Sequence, residues 1–314
     1  HFPFTLRTRG LPPGEAVVDA AASSQLLSAL LMAAPLAAGP FTVTLSGETV
    51  SKPFVAMTLA IMAQFGLPTA SLPTAGPYHF PGSGSYWVPG GRYRIEPDAT
   101  AASYFLALPL AVGGQVTVAA CYEGSLQGDI AFVEVLRTLG MHIEPAGDAA
   151  VAAAPADAVP PGPLTFDFNA ISDTFLTLAA VVPLLDRPVT ITGIAHTRKQ
   201  ETDRVRAMAT ELRRLGQTVE ETHDALTIHG SRDALASASR SGPLTIETYE
   251  DHRVAMSFGI LGCHDLRGDG RPWLHLADPG CCAKTFPNFF DVLDALRPSA
   301  CDLSAAVARL RPLP

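Results

Sequence analysis

Lysine is the scarcest charged residue of this 314-residue chain: three lysines stand against 19 arginines. Cations are few altogether, 22 against 30 acidic residues for a formal net charge of −8. That excludes a general nucleic-acid binder, whose affinity comes from cations set on phosphates. No stretch reaches the ~18 uninterrupted apolar residues of a membrane span. The richest run, Leu26 to Ala38, is broken by Ser28 and Pro35, so no membrane partner is expected. The five cysteines, Cys121, Cys263, Cys281, Cys282 and Cys301, form no CxxC pair. An odd number in a chain this long points to reduced thiols and a cytoplasmic setting. HExxH, GxGxxG and GxxxxGK[ST] are all missing, so neither a metal nor a cofactor is expected. The opening His1-Phe2-Pro3-Phe4 has neither an initiator Met nor a signal peptide's layout, and reads as a chain that begins partway through something.

What is present is a globular composition, 47% hydrophobic and 17% charged, long enough for two ordinary domains. It is also repetitive. Pro35, Pro109 and Pro183 each sit inside an almost wholly apolar segment, 74 residues apart. Gly66, Gly140 and Gly216 close helical patterns at intervals of 74 and 76. The strand-like triplets Val43-Thr44-Leu45, Val116-Thr117-Val118 and Val189-Thr190-Ile191 recur every 73 residues. Ser23, Asp98, Asp173 and Asp251 open the apolar segments at intervals of 75, 75 and 78.

Each unit predicts the same order of elements. A Ser- or Asp-capped helix comes first, apolar on nearly every face and therefore buried. A proline kinks or ends it. A β-branched strand follows, then a second helix closed by a left-handed glycine, then short strands such as Leu226-Thr227-Ile228. The pattern is βαβαββ-like. The fourth unit, from Asp251 to about Pro298, lacks the closing glycine.

The three lysines, Lys52, Lys199 and Lys284, lie at or just before the starts of second helices. One explanation is drift from lysine to arginine that left survivors where a compact ammonium matters, a reading favoured for Lys199 and Lys284 but not Lys52. Helix starts offer unpaired N–H groups and partial positive charge, which suit anions. If the units are built alike, four clusters meet: Ser23-Ser24-Gln25; Asp173; Lys199 to Arg204 with Glu201; and Asp251-His252-Arg253 with Lys284. Hydroxyls and an amide suit phosphate and sugar-like hydroxyls, arginines clamp carboxylate or phosphate, and a Glu-Lys pair can relay a proton. The implied ligands are small, multiply anionic and polyhydroxylated. Each element also has a plainer reading. Ser23, Ser24 and Asp173 read equally as helix caps, Glu201 and Arg204 as a surface ion pair along one helix, and His252 as a packed histidine. Cys281-Cys282 receives no redox role.

The motifs together resemble one family. Ser23-Ser24-Gln25 followed by Leu26 to Met32, Ala102-Ser103-Tyr104-Phe105-Leu106-Ala107, Glu201-Thr202-Asp203-Arg204, Asp251-His252-Arg253-Val254-Ala255-Met256 and Lys284-Thr285-Phe286-Pro287 are similar to signatures of the 5-enolpyruvylshikimate-3-phosphate synthases, in the same order along nearly the whole chain. The resemblance implies transfer of enolpyruvyl from phosphoenolpyruvate to the 5-hydroxyl of shikimate 3-phosphate with release of phosphate, in the shikimate pathway, without metal or organic cofactor. It implies an α/β fold of repeated βαβαββ units with buried helices, the inside-out barrel type of the enolpyruvyl transferases. It also implies that Ser23, Ser24 and Ser51 hold the shikimate phosphate and Gln25 its ring, and that Asp173 takes the proton of the 5-hydroxyl. Glu201 with Lys284 would protonate the methylene, and Arg204, Arg253 and Lys284 would bind phosphoenolpyruvate.

Two departures stand out. A shikimate-contacting lysine of the family is replaced by Gln200, with Lys199 before it, and His196 stands where Asn is common. The matched region begins at the last unit of the family's first domain, so two of six units, on the order of 150 residues by the repeat period, are expected to be absent. Residues 1–94 would be the remnant of one lobe and 95–314 nearly all of the other, with the missing N-terminal segment as a separate partner chain. Two rival readings are a UDP-N-acetylglucosamine enolpyruvyl transferase, which the last motifs disfavour, and an inactive ligand-binding fragment with an exposed apolar edge on residues 1–94.

Overall fold

A computed structural model of the chain describes residues 3–5, 7–21, 23–47, 52–119, 121, 124–155, 162–296 and, for the backbone alone, 306–308. The chain divides into two compact units, His1–Ile95 with Leu126–Gly128, and Glu96–Ser125 with Asp129–Pro314.

The first unit holds one repeat: β1 (Gly14–Asp19), α1 (Gln25–Ala33), β2 (Phe41–Ser46), α2 (Lys52–Gln64) and β3 (Tyr78–Phe80). β1 runs parallel to β2, and β3 runs antiparallel to it. Leu27, Leu31, Val43, Val55, Leu59, Met62 and Tyr78 form its core. The expectation that the leading helix is buried on every face fails here. Only Leu27 and Leu31 of α1 are buried, while Leu26 and Met32 are 72% and 48% exposed. A single repeat supplies one sheet and one second helix, so half of the apolar surface of α1 has nothing within this unit to pack on.

The second unit contains α3 (Ala99–Val112), β4 (Gln115–Val118), α4 (Phe132–Thr138), β5 (His142–Ala146), β6 (Ala149–Ala153), β7 (Leu164–Asp167), α5 (Phe175–Val181), β8 (Pro188–Thr192), α6 (Arg204–Arg214), β9 (Thr218–Glu221), β10 (Leu226–His229), α7 (Arg232–Ala238), β11 (Leu244–Ile246), α8 (His252–Gly262), β12 (Leu274–Leu276), α9 (Phe289–Ala295) and β13 (Ala306–Ala308). The leading helices α3, α5 and α8 pack on one another, and every residue of α5 is buried. Ser103 of α3 and Thr177 of α5, 74 positions apart, share a hydrogen bond of 3.0 Å, so equivalent places in two repeats meet face to face.

Sheet topology carries the repeat as well. One sheet has the order β7-β8-β10-β9 with β7 parallel to β8. Another has the order β13-β4-β6-β5 with β13 parallel to β4. The C-terminal strand β13 thus occupies, beside the second repeat, the place that β7 occupies beside the third. The helix punctuation follows the chemistry of the residues. Pro35 and Pro183 sit in 3₁₀ turns that continue α1 and α5, and Pro109 sits in the last turns of α3, because proline lacks the donor a longer helix needs. Gly66, Gly140 and Gly216 end α2, α4 and α6 with φ of 91°, 85° and 81°, the left-handed region that glycine enters without steric cost.

Candidate active site

Within the second unit the starts of α3, α5, α6 and α8 come together; side chains at the starts of α5, α6 and α8 form one charged network, and Asp98 of α3 acts on Arg253 through its charge. Asp98 caps α3 by accepting from Ala101 N, Asp203 caps α6 by accepting from Arg206 N, and Asp251 caps α8 by accepting from Arg253 N. Asp173 does not cap. It lies in a 3₁₀ turn before α5 with no capping bond, and its carboxylate instead accepts from two arginines, Arg204 Nη1 at 3.0 Å and Arg253 Nη2 at 2.8 Å.

Arg204 is the centre of this network. Its side chain is 1% exposed, so it is not part of a surface pair. Glu201 is not on its helix either, because α6 begins at Arg204 itself. Nε donates to Asp251 Oδ2 (2.8 Å), Nη1 to Asp173 and Gln200, and Nη2 to Glu201 (2.7 Å) and Asp251 Oδ1 (3.4 Å). All five N–H groups of the guanidinium therefore have acceptors, and a ligand carboxylate reaches it only by displacing Gln200, Glu201 or Asp173. A buried cation with three carboxylates around it is held by partners rather than by water, and removing one partner from such a group costs about 3–5 kcal/mol.

Arg253 is differently placed. Its Nη2 binds Asp173 and its side chain lies against the Tyr104 hydroxyl, but neither its buried Nε nor that hydroxyl makes a well-aligned hydrogen bond among the described residues. Burial pushes that phenol well above its usual range, which keeps it a donor. Lys284 ends a 3₁₀ turn five residues before α9 and is 54% exposed, with Nζ donating to Glu201 Oε1. Its segment is anchored by Phe286, whose ring packs against Phe105 (6.0 Å) and Phe289 (5.6 Å). Gly259 of α8 leaves room for this aromatic cluster, since a Cβ there would sit 3.0 Å from Phe290. Burial raises the Glu201 carboxyl, yet the Lys284 hydrogen bond and the Arg204 charge outweigh it and hold the group down at about 2. Glu201 is thus an acceptor at neutral pH.

His196 Nε2 lies 2.8 Å from Ser172 Oγ, and burial lowers its pKa. Beside the cluster, Thr100 donates to Asp129, whose carboxyl is raised by burial to about 6. The approach to Asp251 is unusual. Asp251 N donates to Thr248 O (2.9 Å), closing a turn in which Tyr249 and Glu250 have φ of 56° and 57°. Two left-handed central residues are the pattern of a type I′ turn, normally Asn-Gly, and a side chain held there costs on the order of 1–3 kcal/mol.

The model of the EPSP synthase family, 3-phosphoshikimate 1-carboxyvinyltransferase, matches residues 2–293. The chain belongs to this family. Proteins named 3-phosphoshikimate 1-carboxyvinyltransferase from Opitutus terrae and Idiomarina loihiensis are 51% and 37% identical over 94% of this chain. The chain spans 63% and 65% of their own lengths. Among solved structures, an EPSP synthase from Acinetobacter baumannii superposes with a TM-score of 0.64 at 21% identity, over 91% of this chain and 62% of that one. The enolpyruvyl transferase NikO from Streptomyces tendae gives 0.59 at 15%, over 90% and 64%. These likenesses establish the enolpyruvyl transferase fold.

Not every residue to which the EPSP synthase signatures point lies in the cluster. Asp173, Gln200, Glu201, Arg204, Arg253 and Lys284 are joined by the contacts above, while His196 reaches only Ser172, the residue before Asp173. Lys199 lies next to them in sequence but is exposed, with no ion pair among the described residues. Ser23, Ser24 and Gln25 belong to the first unit. Ser23 Oγ accepts from Gln25 N (3.2 Å), a local turn bond just before the helix, while Ser24 is the N-cap by position without a side-chain bond. Ser51 lies outside the described residues. His252 is buried with neither ring nitrogen hydrogen-bonded among the described residues, consistent with packing. A cavity of about 780 Å³ opens at the opposite ends of the buried helices, near Pro109, Leu184, Arg187, Arg232 and His264, and holds none of the site residues. Sequence reasoning missed Arg198, which donates to both oxygens of Asp203 (2.9 Å each) and to Glu221 (3.0 Å). It also missed the counter-ion role of Asp251, for which the capping pattern was the available signal.

Proposed function

We propose that this chain carries the enolpyruvyl-transfer chemistry of a 3-phosphoshikimate 1-carboxyvinyltransferase, acting on phosphoenolpyruvate and shikimate 3-phosphate. The observation that carries the reading is that Arg204, Arg253 and Lys284 meet Asp173 and Glu201 where four helix starts converge. Such an array stabilises a reaction intermediate rich in negative charge, because its donors are oriented before the charge develops.

Arg253, whose buried Nε lacks a well-aligned acceptor among the described residues, and Lys284, half in solvent, are the first cations that an incoming phosphoenolpyruvate meets. Arg204 joins them as Gln200 or Glu201 yields a place. Asp173 accepts the proton of the 5-hydroxyl as its oxygen attacks C2 of phosphoenolpyruvate. The methylene carbon takes up a proton from Lys284, since Glu201 at about 2 holds none and serves to orient the ammonium; in the elimination the Lys284 amine takes one proton back from the new methyl group as the double bond re-forms, and phosphate departs with the proton that Asp173 had accepted. Ser23, Ser24, Ser51 and Gln25 bind the shikimate phosphate and ring, with His196, Gln200 and Lys199 contributing to the same substrate.

On this reading residues 1–94 are part of one enolpyruvyl transferase domain and 95–314 most of the other, in a cytoplasmic enzyme. The remaining third carried by the relatives, in the same polypeptide or as a separate N-terminal chain, is the partner. Its support is the exposed apolar stripe of Leu26, Met32 and Leu36, the kind of surface that α3, α5 and α8 bury among themselves. The test is phosphate release from the two substrates, with the remaining segment supplied. Asp173→Ala should lower kcat by about 10²–10⁴-fold; unchanged turnover removes Asp173 from the mechanism.

A further inference from the structure

On the reading that Arg204 and Arg253 hold phosphoenolpyruvate, we propose that Glu211 is a positioning residue for that site, holding through Tyr249 the left-handed turn that sets Asp251. Two charged side chains of α6 are buried, Arg204 at 1% and Glu211 at 0% exposure. They lie seven residues apart, two helical turns, and so share a face. Both grip the segment 247–251. Arg204 binds Asp251, while Glu211 Oε1 accepts from the Tyr249 hydroxyl (2.7 Å) and Oε2 from Glu247 N (3.2 Å). Arg214 Nη1 holds the same carboxylate from the solvent side at 2.9 and 3.1 Å.

Nothing local favours this turn. Tyr249 and Glu250 are neither glycine nor asparagine, the residues that enter the left-handed region readily, so outside contacts hold it: Arg204 at its end, on Asp251, and the Glu211 carboxylate at Tyr249 within the turn and at Glu247 before it. Burial and the neighbouring Glu211 push the Tyr249 hydroxyl up to about 12, so it remains a donor across the working pH range. The turn delivers Asp251, which both receives Arg204 and accepts from Arg253 N (2.9 Å). Both anion-binding arginines therefore take their positions from a residue that the turn sets. A displacement of about 1 Å at such groups is enough to cost two orders of magnitude in rate.

The test uses the chain with the remaining segment of the relatives supplied, with amide hydrogen exchange and calorimetric binding of phosphoenolpyruvate as separate readouts. Tyr249→Phe and Glu211→Gln should speed exchange at Glu247, Asp251 and Arg253 about tenfold while leaving α3 and α5 unchanged, and should weaken phosphoenolpyruvate binding about tenfold. Arg214→Gln, which removes only the outer partner, should leave binding within about twofold. Glu250→Gly in the Tyr249→Phe background should restore binding to within about threefold of the wild type, because glycine needs no outside contact to hold that conformation. Tyr249→Phe with unchanged exchange, failure of the glycine rescue, or an equal loss in Arg214→Gln each overturns the proposal. If the wild type binds no phosphoenolpyruvate but exchange responds as stated, the positioning role stands and the ligand assignment fails.

Discussion

The two units run the same repeat with different numbers of companions. In the second unit three leading helices, α3, α5 and α8, bury one another so completely that Phe105, Phe175 and Phe258 are wholly enclosed. In the first unit the corresponding helix α1 buries Leu27 and Leu31 and leaves Leu26 at 72% exposure. The sequence of α1 is as apolar as theirs. What differs is how many equivalent helices are at hand to face it. A helix apolar on all sides is thus a statement about neighbours, and the repeat becomes a core only when several copies are assembled.

Mutations in the two helix sets test that contrast. Phe175→Ala should lower the stability of the second unit by about 3–5 kcal/mol, the usual cost of emptying a well-packed aromatic site, measured by denaturant unfolding. Arg204→Ala should cost a similar ~3–5 kcal/mol by stranding Asp251, which is 0% exposed; a loss below ~1 kcal/mol would mean that water reaches the cluster. Ser23→Ala, which removes an exposed turn acceptor for Gln25 N, should cost about 0.5–1 kcal/mol. Leu26→Gln should change stability by under ~0.5 kcal/mol and reduce self-association. If Leu26→Gln matched Phe175→Ala, the α1 face would be buried and the comparison would break.

Acid should sharpen the same contrast, because these groups lie in the second unit. His196 and His252 are both lowered from 6.5, by burial first. The native state therefore resists protons that the unfolded chain accepts, and stability falls as pH drops below about 6.5. Asp129 works in the opposite direction. With its carboxyl raised from 3.8 to about 6, its native state gains relative stability as pH falls through that range. Asp129→Asn should then show a steeper loss between about pH 6.5 and 5 than the wild type, read from melting temperature against pH.

The repeat was legible because its markers are local. Gly66, Gly140 and Gly216 report a backbone angle, Asp98 and Asp251 report a cap, and Pro35, Pro109 and Pro183 report a missing donor. Asp173 misled as a capping candidate because a short acidic residue before an apolar helix has the same appearance whether it accepts from the helix or from distant arginines. Glu211 and Tyr249 were not legible. A glutamate inside a helix is ordinary on a solvated face, and only the packing of α6 shows that this one has no solvent.

Residue order alone therefore determined the units, their caps and stops, and the inventory of anion-seeking and proton-carrying side chains. Only the tertiary structure decided that Arg204 is buried with every donor engaged, that Arg253 has a buried Nε without a well-aligned acceptor among the described residues, and that α1 is half bare while its counterparts are enclosed. The physical reason is range. Backbone angles and capping bonds are set within a few residues, whereas burial and charge pairing depend on which segments, 31 and 80 residues apart in the bonds from Arg204 and Arg253 to Asp173, are brought to the same place.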